Sequence, residues 1–148
     1  MKKYLGYALV ACLLLGAVGC KSKEFKDVSA DVSLSRFIGT AYKTKTELII
    51  CGIAKDIGYP KIVDYYTIME PPGIGGPEVV SLRTIPPGTS MKILRVERCS
   101  NCLPFLSELR WVVDLPSDAT FKDHPVVIDA GRIDIEKTNA LVKVQAGT

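Results

Sequence analysis

The sequence predicts an all-β domain, a β-sandwich or small barrel of about seven to eight short strands, and three observations carry that expectation. Short runs rich in β-branched and aromatic residues recur from Glu47 to Val144. Gly and Pro punctuate the intervals between them. Beyond the N-terminal segment, no stretch keeps an apolar period of 3.6 residues long enough to stand as a strong helix.

Residues 28–38 place Val28, Val32, Leu34 and Phe37 at roughly helical spacing, but Ser29, Ser33 and Ser35 make this a weak helix at best, and Gly39 ends it. Residues 48–54 are continuously apolar, too short for an independent helix, and flanked by Gly58 and Pro60, so a buried strand is expected. Residues 63–69 suit a strand with Tyr65 and Tyr66 on opposite faces. The run Pro71-Pro72-Gly73-Ile74-Gly75-Gly76-Pro77 continues neither strand nor helix and reads as a long loop.

Residues 79–85 and 91–98 read as strands joined across Pro86-Pro87-Gly88-Thr89, where Pro87 and Gly88 suit the central positions of a type II turn. Along the second strand Met91 and Ile93 share one face whereas Leu94 and Val96 share the other, a slip that predicts a bulge. Residues 108–115 alternate most cleanly, with Leu109, Trp111, Val113 and Leu115 opposite Glu108, Arg110 and Asp114, so Trp111 is expected in the core. Residues 126–128 and 132–136 flank Asp129-Ala130-Gly131 as a hairpin, and residues 141–144 offer a last strand.

The N-terminal segment has a separate logic. Lys2 and Lys3 form a basic head, Tyr4 to Gly19 carries no charge, and Ala17-Val18-Gly19 are small residues leading to Cys20, which is the plan of a secretory signal. These last residues resemble the lipobox of bacterial lipoproteins. The resemblance implies that Cys20 receives a diacylglycerol and becomes the acylated N-terminus. A competing match, Leu9-Val10-Ala11-Cys12, leaves a short apolar middle and would expose Leu13-Leu14-Leu15 on the mature end, so Cys20 is favoured. A retained transmembrane helix needs about 20 apolar residues, and this run is shorter and interrupted by Gly6, Gly16 and Gly19. Residues 1–19 are thus expected as a signal peptide, 20–36 as a lipidated tether and 37–148 as the β-rich domain. Lys21 after the cysteine, in place of Asp, implies by the same resemblance the outer membrane, facing the periplasm, over the inner.

The chain holds 19 basic and 16 acidic residues, and setting aside Lys2 and Lys3 leaves a net charge of about +1, which gives no electrostatic reason to seek nucleic acid. Arg36, Lys43, Lys45, Lys55 and Lys61, interrupted by Glu47 and Asp56, read as a solvated face. In an oxidising envelope Cys99 and Cys102 are expected to pair as a disulfide, and Cys51, inside an apolar run, to be buried and inert. Cys99-Ser100-Asn101-Cys102 also has the spacing of thiol oxidoreductases, in which the pair opens a helix whose field activates the first thiol. Here no βαβ pattern surrounds it, Pro104 is early, and a structural bridge is the favoured reading. No second C-x-x-C completes a zinc site, and no metal or other cofactor is expected. His124, the only histidine, stands in a loop with no nucleophile motif to serve, and no catalytic residue is assigned.

A binding surface is the remaining expectation. The glycine-rich loop lacks the Lys-Ser/Thr of a phosphate loop, but long loops on small β domains often carry binding. If the strands pair as a meander, Tyr65, Tyr66, Pro72, Ile74 and Arg83 lie near one another. Residues 82–93, a strand, a Pro-x-Gly-Thr turn and a strand, look like a unit of bacterial SH3-like barrels, and the resemblance implies a Tyr-lined groove for extended peptides. The expected protein is a membrane-anchored binding or structural module for envelope proteins or polymers, peptidoglycan peptides first among them. A periplasmic thiol-disulfide oxidoreductase and an inhibitor or immunity protein against an exported hydrolase are the alternatives.

Overall fold

A computed structural model describes residues 22–56, 58, 61–103, 108–115, 121 and 123–145. Among the described residues nine strands form one sheet: β1 (Phe25–Asp27), β2 (Ala41–Thr44), β3 (Leu48–Ile53), β4 (Tyr65–Met69), β5 (Val79–Ile85), β6 (Ser90–Cys99), β7 (Leu109–Asp114), β8 (Val126–Asp129) and β9 (Leu141–Lys143). Their order is β5-β3-β4-β8-β7-β6-β2-β9, with β1 added beside β6. The one helix among the described residues, α1 (Val32–Ser35), is a single turn capped by the Asp31 carboxylate, which accepts from the Ser33 amide at 3.0 Å. Its serines prevent anything longer.

The sheet is coiled around one core. Tyr42, Ile50, Ile68, Ile85, Ile93, Val113, Ile128 and Leu141 come from β2 to β9 in turn, and all belong to a single buried cluster. Laid flat, that path would be roughly 34 Å across at about 4.8 Å per strand. Its two ends could not then share a core.

What bends it is a corner at Thr44. Tyr42 faces Met91 and Leu48 faces Ile85 in the same antiparallel register, so β2–β3 and β5–β6 are two long strands paired along their length and folded together. Pro86 and Pro87 have no N–H to donate, and the Thr44 side chain replaces the missing ladder bonds. Its hydroxyl donates to the Pro86 carbonyl at 2.8 Å and accepts from the Thr89 amide at 3.0 Å. Gly88 takes φ +86°, the conformation a type II turn requires at that position, as the sequence predicted.

The expected bulge is present: Ile93 pairs with Val113 and Arg95 with Val112, leaving Leu94 as the extra residue. It resets the alternation, so that Val96 rejoins Met91 and Ile93 inside while Leu94 is exposed. Trp111 is buried, with its ring centroid 4.9 Å from that of Phe37.

Three expectations are corrected, and one strand goes unforeseen. Residues 132–136 form turns instead of a strand, because the Asp129 carbonyl and carboxylate gather the amides of Gly131, Arg132 and Ile133; the alternation of Ile133 and Ile135 sends both into the core without a partner strand. β2 was not foreseen, because its pattern is short. β1 and α1 fall within the expected tether, yet β1 pairs with β6 and Leu34 joins the core, so the folded unit begins earlier than residue 37. The strands do not form a meander: β4 and β5 flank β3 on opposite edges, β5 and β6 do not pair with each other, and β4 lies parallel to β8.

Candidate functional site

Strand alternation decides what reaches the outer face. On β3 it directs Ile49, Cys51 and Ile53 to that side, and on β4 Tyr65, Thr67 and Met69. The loop after β4 covers the β3 part of this face. It turns through a cis Pro71–Pro72 bond, and Gly73 lies so close to Ile49 that a Cβ there would sit 3.2 Å from Ile49 Cγ2. Ile74 then packs with Ile49, Cys51, Ile53 and Met69 as a second, smaller apolar cluster.

Between that loop and the N-terminal strand β1 the outer face stays open as a groove of about 360 Å³, within the usual size of small-ligand sites. Phe25, Tyr65 and Ile74 line it together with the buried Thr67 and Val127, and the more exposed Lys55, Glu78, Asp129 and Arg132 bring charge to it. Apolar walls with a few polar groups and charges of both signs suit a ligand that is itself part apolar and carries both an amine and a carboxylate.

One wall is held by an ion-pair network. Glu97 is 8 % exposed, and its carboxylate accepts from Arg95 Nε at 2.8 Å and from Arg110 Nε at 2.7 Å. Burial pushes the Glu97 carboxyl up, but hydrogen bonds and charge from the two guanidinium groups outweigh it and hold it below the usual value. The Arg110 guanidinium lies 3.7 Å from the ring centroid of Phe25 and 5.7 Å from that of Tyr65. Burial raises the Tyr65 phenol above its ordinary pKa against the lowering effect of Arg110 and Lys23, so it is a neutral hydrogen-bonding group at neutral pH.

The five residues expected to meet are divided. Tyr65 and Ile74 line the groove together, and Pro72 lies exposed in the loop that carries Ile74. Tyr66 points to the opposite face, with its ring 4.7 Å from that of Phe121 and 6.3 Å from that of His124. Arg83 is on that same inner side, 6.0 Å from the Phe121 centroid, with β3 between its strand and β4. The Tyr65–Tyr66 alternation was legible; the intervening strand was not. Phe25, Thr67, Arg110 and the Glu97 network were missed, although a lone Phe in a polar segment was a signal that residue 25 packs on something.

Cys99 and Cys102 form a disulfide with an S–S distance of 1.98 Å, and Cys51 is a buried free thiol, both as expected. The bridged loop is the receptor for the chain entering the domain. Asn101 Oδ1 accepts from the Glu24 amide at 2.8 Å, Asn101 Nδ2 donates to the Ser22 carbonyl at 2.9 Å, and the Ser100 amide donates to the Glu24 carbonyl at 2.8 Å. Lys23 adds an ion pair to Glu108 at 2.6 Å. Cys99 ends a strand and Cys102 lies in a bend, whereas thiol activation of the oxidoreductase kind draws on a helix N-terminus. Among the described residues no group of three or more metal-ligating side chains gathers, and no helix is long and apolar enough to cross a membrane. Cys20, with residues 1–19, lies outside the described residues.

Comparison with known proteins finds no family model, no curated protein and no solved structure that matches this chain.

Proposed function

We propose that this is a lipid-anchored envelope protein whose β domain works by binding, and that the groove between Phe25, Tyr65 and Ile74 is where it binds. The observation that carries the reading is the composition of that groove: aromatic and aliphatic side chains, the Thr67 hydroxyl, and charges of both signs, with Lys55 and Arg132 as well as Glu78, Glu108 and Asp129 in its lining. A polyanion would meet three carboxylates there. An extended peptide with free amino and carboxylate groups meets a partner for each. Peptidoglycan stem peptides have that character, and analogy with bacterial SH3-like domains favours them, as fold-level analogy.

The membrane-anchoring half of the proposal rests on the segment ending at Cys20 and its resemblance to a lipobox. Retention of the purified domain on isolated sacculi, measured for the native sequence and for Tyr65→Ala, tests the binding half. Retention that weakens roughly tenfold in the variant supports it, in line with the ~0.5–1.5 kcal/mol an aromatic contact contributes beyond its area. Native protein that washes through removes peptidoglycan as the ligand.

A further inference from the structure

We infer that the disulfide-bridged end of β6, together with residues 22–26 clasped to it, is a bilayer-contact surface on which the domain is seated at headgroup level. The inference rests on the membrane anchoring proposed above and adds where the bilayer meets the fold. An uncharged run from Tyr4 to Gly19 ends one residue before Cys20, and Ser22 is already bonded to Asn101 at 2.9 Å. Two residues of extended chain span at most ~7 Å. The headgroup region on each side of a bilayer is about 5–7 Å deep. The lipid-bearing sulfur of residue 20 therefore cannot sit at the apolar edge of a bilayer without bringing the Cys99–Cys102 loop to its polar surface.

The surface suits that position. Leu103, next to the bridge, is 57 % exposed, and Ser100 and Asn101 are small polar neighbours. Lys23 is paired with Glu108 at 2.6 Å, and Lys26 stands beside Glu24 and Asp27, so the contact does not depend on anionic lipid. Ser22 and Lys23 also line the groove, so the seated groove opens beside the membrane and meets ligands presented there. The far end of the molecule supplies an internal control. β6 has 10 residues, so its Ser90 end and the turn at residues 86–89 lie roughly 30 Å from the bridge.

The full-length chain purified from membranes, reconstituted in phosphatidylcholine vesicles carrying a trace of headgroup-nitroxide lipid, tests this through paramagnetic broadening of backbone amides. The expected result is broadening several-fold stronger at residues 22–26 and 99–103 than at residues 86–89. Asn101→Ala, with the bridge intact, and insertion of about ten Gly/Ser residues between Lys21 and Ser22 should each reduce that contrast severalfold. Vesicle-bound protein with uniform broadening, with the strongest broadening at residues 86–89, or with a contrast the insertion leaves unchanged overturns the seating while anchoring stands. A native chain that the vesicles do not hold at all overturns the anchoring, and the seating with it.

Discussion

Arg110 lies between two kinds of partner: its guanidinium donates to the Glu97 carboxylate at 2.7 Å and stacks on Phe25 at 3.7 Å from the ring centroid. The first contact joins β6 to β7, and the second fastens β1 to the sheet. Through this one side chain the wall of the groove is tied to the body of the fold.

Removing the carboxylate strands two guanidinium groups, one of them with a side chain only 16 % exposed. Glu97→Gln is therefore expected to lose about 2–3 kcal/mol at pH 7 by urea unfolding. The folded-state pKa is depressed, so the stability this group contributes is present above its unfolded value of 4.5 and is lost as pH falls through the lower folded value. The gap between native and variant should accordingly narrow as the pH is lowered below 4.5. A gap that stays constant across that range would contradict the assignment.

Thr44 is 3 % exposed and holds the corner with its hydroxyl. Thr44→Val keeps the volume but leaves the Thr89 amide and Pro86 carbonyl without this partner, and should destabilise by about 1–3 kcal/mol. Gly88→Ala, at φ +86° with nothing within 4 Å of the added methyl, isolates the backbone contribution and should cost about 1 kcal/mol. If thermal denaturation places both variants at the native midpoint, the corner does not shape the sheet.

The Trp111 indole N–H is buried with no acceptor among the described residues, while its ring fills the core against Phe37. Trp111→Ala should lose about 3–5 kcal/mol. Trp111→Phe keeps most of the ring and removes an unpaired donor whose burial costs about 1–3 kcal/mol, so its loss should be less than half as large. Equal losses in chemical denaturation would show that the N–H has a partner in solution.

The Cys99–Cys102 ring is small, so replacing both cysteines with Ser should cost at most about 2 kcal/mol in global stability on loop-entropy grounds. Its local effect should be larger: hydrogen exchange at the Glu24 and Ser100 amides, which this loop holds, should accelerate at least tenfold while the β3 amides stay protected. Unchanged exchange at both amides would mean that the bridge does not shape the receptor for the N-terminal segment.

Much of the fold was legible because its causes are local. Alternation placed Trp111 in the core and Tyr65 opposite Tyr66, the broken phase after Ile93 announced the bulge, and Pro87-Gly88 specified its turn. The segment at residues 132–136 misled for the same reason: a two-residue period buries Ile133 and Ile135 equally well in a turn that Asp129 organises. The candidate site was half legible, since alternation could assign Tyr65 a face but could not say what lay opposite it.

What the residues alone determined was the class of the fold, the faces of the residues in the strands that alternate cleanly, and the pairing of two cysteines three positions apart. Which strands neighbour one another was decided only in three dimensions. A strand's alternation is satisfied by any partner with an apolar face, and choosing among partners depends on how one chain closes on one core. That choice put β3 between Tyr66 and Arg83, and it brought Phe25, at the far end of the sequence, against Arg110.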